Sequence, residues 1–238
     1  MWVFPGGKVD AADSAPELAG SLTGLSAEEA ASRLGDLESD QALAHYVAAV
    51  RETFEEAGVL LAEDATLTDE PLRTELAGGS LSFGAGLTRL GVRLDLARLH
   101  YLDHWVTPPI EKRRFSARFF LAEVPAGQVA APDDHETTEG VWIGAADALA
   151  RYEAPDDAIQ LMPPTIRTLQ RLARHDTIAG ALTEAPNTPM PACSPELVMD
   201  SGVAHLVLAG DPLHPKEAGT VRARFALEGR RWVPTFDQ

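Results

Sequence analysis

The segment Arg51-Glu52-Thr53-Phe54-Glu55-Glu56-Ala57-Gly58-Val59 constrains the chain more than any other. On a helix, Glu52, Glu55 and Glu56 stand at i, i+3 and i+4, so three carboxylates share one face. Val47, Val50 and Phe54 recur at helical spacing with Leu43 and form a buried stripe roughly opposite. The pattern predicts a helix from about 40 to 57, with Gly58 as its C-terminal stop. Like charges this close weaken a helix by some tenths of a kcal/mol per pair. A hard divalent cation removes that cost, because Mg²⁺ prefers oxygen ligands and keeps waters for substrate phosphate. Arg51, four residues before Glu55, is placed to orient a carboxylate from the side.

Charge selects among the functions such a face allows. The net charge is −16 and the pI about 4.7. That surface repels a nucleic-acid backbone, so nucleic acid is not an expected partner. A phosphorylated small molecule is compatible if metal ions neutralise it locally. The single cysteine, Cys193, rules out an internal disulfide and points to a reducing compartment. No stretch reaches the length of a membrane-crossing helix, and no leader pattern is present, so the expectation is a cytoplasmic protein without a membrane partner.

The rest of the chain reads as alternating short elements. Residues 2–4 look like a strand end running into the Pro5-Gly6-Gly7 turn, and 14–25 read as a loop. Ser26 with Glu29 makes a capping box for a helix over 27–34. Residues 59–62 read as a strand, and Gly78-Gly79 and Gly84 interrupt any long helix in 71–90. Strands are expected at 99–107 and 115–124, an acidic loop at 127–138 and a short strand at 141–143. Helices follow at 145–152 and 164–174. A Pro-rich stretch at 184–195 reads as a linker, and two or three strands are expected in 197–238. Trp105 and Trp142 read as core residues rather than base-stacking platforms.

Residues 51–59 resemble the second half of a Nudix box: Arg-Glu-apolar-any-Glu-Glu-any-Gly-apolar. Thr53 stands where that pattern has an apolar residue. The first half is similar too. Trp2-Val3-Phe4-Pro5-Gly6-Gly7 looks like the strand and turn before the box, and Asp13 stands where the pattern has Glu. Between Asp13 and Arg51 lie 37 residues instead of seven, an insertion read at about 14–43. A box split in this way is similar to the coenzyme A diphosphatase branch. Trp105–Pro108, Arg113–Phe115 and Phe119–Ala122 extend the likeness.

The resemblance implies an α/β Nudix fold, a mixed sheet sandwiched between helices, over residues 1–183, with a Pro-rich linker and β-rich extension at 184–238. Nudix domains carry one or two strands before the turn. Here the chain starts almost at the turn, so the fold is expected to lack them, with strands near 203–210 and 221–227 as substitutes. An open edge would favour a homodimer.

The implied activity is metal-dependent cleavage of a pyrophosphate in a nucleotide-like small molecule, with coenzyme A or acyl-coenzyme A as the leading substrate. Glu52, Glu55, Glu56 and the Gly7 carbonyl would hold Mg²⁺ or Mn²⁺. A further acid is expected from the later loop, Glu139 or its competitor Glu136. Lys8, Arg113 and Arg114 are candidate phosphate contacts; each also reads as a solvated surface cation. Two alternatives stay open: another Nudix substrate, such as a nucleotide sugar or dinucleotide, and a Nudix-fold module that binds a nucleotide without cutting it.

Overall fold

A computed structural model describes residues 1–62, 70–111, 113–131, 140–155, 159–185 and 187–237. The first half is a helical layer. Two 3-10 segments, Ala11–Ser14 and Pro16–Ser21, lead into β1 (Leu22–Thr23), α1 (Ala27–Leu34) and α2 (Ser39–Ala57). Ser26 caps α1 as its sequence predicts. Its hydroxyl accepts from the Glu29 N–H at 3.2 Å, and its own N–H donates to Glu29 Oε2 at 2.8 Å. α2 ends where Gly58 takes up the left-handed conformation (φ 68°) and donates its N–H to the Phe54 carbonyl. Val47, Val50 and Phe54 are buried, and Leu43 packs at the margin of the same core.

Two differences follow in the middle of the chain. Residues 59–62 are buried but form no strand, only an isolated bridge from Ala62 to Leu94. At Leu60 a side chain takes the place of a partner strand: Gln128 accepts from the Leu60 N–H at 2.8 Å and donates to its carbonyl at 2.7 Å. Gly78-Gly79 separate α3 (Glu70–Ala77) from α4 (Phe83–Leu90), but Gly84 lies inside α4. A side chain there would collide with Glu17, whose carboxylate accepts the Ser82 hydroxyl at 2.6 Å. Close approach of the 3-10 segment, not helix breaking, accounts for this glycine.

The second half begins with β2 (Leu94–Asp95), which pairs parallel with β1. β3 (His100–Val106) and β4 (Ser116–Leu121) form an antiparallel hairpin. α5 (Ala145–Glu153), α6 (Pro163–Leu172) and α7 (Ile178–Leu182) follow. Residues 141–143 form no strand, and Trp142, expected in the core, is 69% exposed. Trp105 is buried as expected. The segment after α7 runs along β3. Asn187 Oδ1 accepts from the Tyr101 N–H at 2.6 Å. The Cys193 N–H and carbonyl bond to His104 and Val106, each at 2.8 Å. Four strands then form an antiparallel sheet: β5 (Glu196–Asp200), β6 (Val203–Val207), β7 (Ala223–Glu228) and β8 (Arg231–Phe236). β6 and β7 pair with each other and their neighbours, so the backbone bridge to β3 comes from Cys193, while Leu206 and Phe225 reach Trp105 of β3 through side-chain packing.

Two apolar clusters hold these parts. One joins the 3-10 segments, α1 to α4 and the start of β3. The other joins Trp105, α5, α6 and the inner face of the C-terminal sheet through Leu206 and Phe225. Trp2 reaches the second cluster, with its N–H on the Gln160 carbonyl at 2.9 Å. Among the described residues no helix is long and apolar enough to cross a membrane.

Candidate functional site

The site grows from the last two turns of α2. Arg51 is buried and uses every arm of its guanidinium. Nε and Nη2 form a fork on Asp13 at 2.8 and 3.0 Å. Nη2 also donates to the Lys8 carbonyl at 2.8 Å. Nη1 lies 2.9 Å from Glu52 Oε1 and 3.1 Å from Glu55 Oε2. The two halves of the motif, 37 residues apart in sequence, therefore meet at one side chain. Asp13, which departs from the expected Glu, has its carboxylate fully buried and accepts the fork that defines the turn. Its Oδ2 also accepts from the Asp10 N–H at 2.8 Å.

The Gly6-Gly7 turn closes against the carboxylates. The Gly6 N–H donates to Glu56 Oε2 at 3.1 Å. A side chain at Gly7 would occupy the space of the Glu52 carboxylate. Gly7 is thus required by close approach.

Among the described residues Arg51 faces four acids, Asp10 at 3.9 Å beside Asp13, Glu52 and Glu55, so its own charge does not balance theirs. Burial pushes the carboxyls of Glu52 and Glu55 above their ordinary values, and Arg51 only partly offsets this. Glu52 raises Glu55 further. Burial opposes the charge on Arg51, but Asp13, Glu52 and Glu55 outweigh it and hold its proton more firmly than in a free arginine. Desolvated carboxylates with surplus negative charge and free lone pairs suit a hard divalent cation. Among the described residues no three acidic, histidine or cysteine side chains already converge as a closed metal cluster.

Several supports have no local sequence signal. Arg73, in α3, donates from Nε to the Glu55 carbonyl at 2.8 Å and from Nη2 to the Glu56 carbonyl at 2.7 Å. It caps the box helix from seventeen or more residues downstream, at the negative end of the helix dipole. The Ala131 N–H bonds the Ala57 carbonyl at 2.9 Å, which ties the start of the later loop to the same helix end.

The other expected site residues fall as follows. Lys8 contributes its carbonyl to Arg51, and its side chain is exposed. Arg113 and Arg114 are exposed in the β3–β4 connection, where Arg114 donates to the Thr107 carbonyl at 3.3 Å. The hairpin is anchored along α2 by Arg118, which forks onto Asp36 at 2.6 and 2.7 Å and approaches His45, and by Phe120 against Tyr46. Phe119 of the same strand meets Phe4, beside the Gly6-Gly7 turn, edge to face at 6.4 Å. Glu136 and Glu139 lie outside the described residues. Burial pushes the Cys193 thiol up to about 12, which disfavours the thiolate.

A two-half motif meeting at a buried arginine on a loop–helix frame defines the Nudix fold. A crystal structure of a Nudix hydrolase from Alicyclobacillus acidocaldarius is similar at a TM-score of 0.57 and 26% identity, over 76% of this chain and 79% of that one. The chain belongs to the Nudix family: the model of the NUDT19 Nudix domain matches residues 1–172. It is 26% identical over 196 residues to acyl-coenzyme A diphosphatase NUDT19 of Xenopus laevis, covering 72% of this chain and 51% of that protein. The human protein of the same name is 29% identical over 209 residues, covering 77% and 54%. Putative nudix hydrolase 7 of Caenorhabditis elegans is 28% identical over 174 residues, covering 72% and 50%. The chain thus spans about half the length of the curated relatives it matches.

Proposed function

We propose that this chain is a divalent-metal-dependent pyrophosphohydrolase, and that its substrate is coenzyme A or an acyl derivative. Water attacks one phosphorus of the diphosphate and the bridging P–O bond breaks, giving 3′,5′-ADP and a phosphopantetheine product. The observation that carries the reading is the Arg51 hub, which holds Glu52 and Glu55 while the Gly6-Gly7 turn meets Glu52 and Glu56. The names of the curated relatives support the substrate.

Glu52, Glu55, Glu56 and the Gly7 carbonyl would hold Mg²⁺ or Mn²⁺. The fit rests on the half-buried, like-charged pair Glu52 and Glu55, both held on Arg51, whose raised carboxyls a cation would relieve. When bound, the ion neutralises phosphate charge and lowers the pKa of a coordinated water. Arg51 orients two of the three carboxylates and locks the turn to the helix. The Gly6 N–H fixes the third. Glu139, with Glu136 as competitor, is assigned the proton from the attacking water. Lys8, Arg113 and Arg114 are assigned to substrate phosphates, Lys8 having the shorter path through its turn.

The test is product release from coenzyme A, ADP-ribose, NADH and a dinucleoside polyphosphate, with and without Mg²⁺ or Mn²⁺, beside Glu56→Gln. Metal-dependent cleavage of coenzyme A, lost in the variant, is expected. Cleavage of another compound instead would discard the substrate and keep the class. Tight nucleotide binding by the folded protein without cleavage would replace the enzyme with a binding module.

A further inference from the structure

Two of the three box carboxylates stand where a helix is ordinarily weakest. Glu55 and Glu56 belong to the last turn of α2, which ends at Ala57. The Gly58 N–H on the Phe54 carbonyl, at 2.9 Å, closes the helix. The next three carbonyls, those of Glu55, Glu56 and Ala57, have no partner within it, and helix ends fray for that reason. Side chains on a fraying turn cannot hold one ion in a fixed geometry.

All three carbonyls are taken from outside the helix. Ala57 accepts from the Ala131 N–H at 2.9 Å. Glu55 and Glu56 accept from Nε and Nη2 of Arg73 at 2.8 and 2.7 Å. One planar fork therefore spans the backbone of both carboxylate-bearing residues. Arg73 is almost fully buried, so water competes little for these bonds. Its charge also suits the negative end of the helix dipole.

The surroundings are shaped to admit this side chain. A Cβ at Gly58 would stand 3.3 Å from Nη1 of Arg73, tighter than ordinary packing. The closing glycine of the motif thus supplies the left-handed turn and also leaves room for the guanidinium. From the other side, α3 is held by Leu72 and Leu76, which bury in the first apolar cluster and meet Gly86 of α4.

We infer that Arg73 is a positioning residue of the metal site: its fork on the Glu55 and Glu56 carbonyls sets where these two carboxylates stand, and so sets the affinity for a divalent cation. It acts through the backbone of the ligands. The inference rests on the proposed function for the identity of those ligands.

The experiment titrates Mn²⁺ into the full chain without substrate, read by electron paramagnetic resonance, for wild type, Arg73→Met, Arg73→Lys and Arg89→Met. Arg73→Met should weaken Mn²⁺ binding about 10–100-fold, the range for losing a group that orients metal ligands. Arg73→Lys offers an ammonium without the fork and should fall between that variant and wild type. Arg89→Met removes the pair with Glu75, at 2.8 Å on the exposed side of α3, and should bind as wild type does. At saturating Mn²⁺, kcat of Arg73→Met for coenzyme A should remain about tenfold low, as expected of misplaced ligands, with KM within about twofold. An arginine that only stabilises the fold would lower the melting temperature and leave the Kd of the folded protein unmoved. Wild-type affinity in Arg73→Met therefore overturns the inference. If that variant does not fold, Arg73→Lys decides, and wild-type affinity there overturns the clamp. Equal weakening in Arg89→Met overturns it too, by assigning the effect to α3 as a whole. Failure of wild type to bind Mn²⁺ overturns the metal site and the inference with it. Binding without cleavage of any coenzyme A compound overturns only the proposed activity, and the Mn²⁺ titration still decides the role of Arg73.

Discussion

Among the described residues, two buried aspartate–arginine forks of nearly the same geometry end in opposite electrostatic states. In the C-terminal sheet, Arg224 reaches Asp211 through Nε at 2.9 Å and Nη2 at 2.7 Å. Asp211 also accepts the N–H groups of Leu213 and Ala223 at 2.8 and 2.7 Å. One charge meets one charge, and four hydrogen bonds fill the carboxylate. Burial alone would raise its pKa, but Arg224 and the two N–H groups outweigh that and hold it below the ordinary value. Arg51 makes the same fork on Asp13, then spends its remaining nitrogen on Glu52 and Glu55. A fork that closes its charge holds a fold together. A fork that gathers excess charge creates a place for a counter-ion.

The contrast can be broken in five ways. Arg51→Met leaves Asp13 buried and unpaired, and should cost about 3–5 kcal/mol of stability in denaturant melts, with hydrolysis lost. A stable variant would show that the hub does not hold the halves together. Glu52→Gln should lower the rate about 10³-fold, on the scale of removing one preorganised charge-stabilising group, yet leave stability unchanged or slightly higher, because it removes a like charge. A large loss of stability would make Glu52 structural. Mg²⁺ at about 100 times its Kd should raise wild-type stability by about 2.7 kcal/mol and Glu52→Gln by much less; equal shifts would place the ion elsewhere.

Asp211→Asn should cost about 2 kcal/mol at pH 7 without lowering the rate. Because the folded carboxyl is depressed, its contribution is complete above the unfolded value near about 4 and fades as pH falls through the folded value. The gap between wild type and Asp211→Asn should therefore close only in acid; a gap that closes near neutrality would refute the assignment. Trp142→Ala, at an exposed position, should change stability by less than about 0.5 kcal/mol.

What the sequence reveals here follows the range of the interactions. α1 is legible because Ser26 and Glu29 satisfy each other three residues apart, and α2 because its apolar stripe and Gly58 are local. The carboxylates of the box are legible for the same reason. The roles of Asp13 and Arg73 are not, since their partners lie 38 and seventeen or more residues away. The 14–25 stretch reads as a loop because its Ala, Gly and Ser content hides the 3-10 segment Pro16–Ser21, held by Leu18 in the core, and the two-residue strand β1. Val141-Trp142-Ile143 has strand composition, but nothing pairs with it among the described residues. The fourth C-terminal strand, β8, contains Pro234, which an edge position tolerates and a sequence pattern discourages.

The Asp13–Arg51 fork has one more effect, on the entropy of the chain. Widening the gap between the box halves from seven residues to 37 raises the cost of loop closure by only about 1.5 kcal/mol, since that cost grows with the logarithm of length. Burial of Leu18, Leu25 and Leu34 in the core offsets it several times over, at about 1.5–3 kcal/mol for each fully buried side chain. With its ends clamped by the fork, the segment between them is free to vary in length while the distance between the two box halves stays fixed.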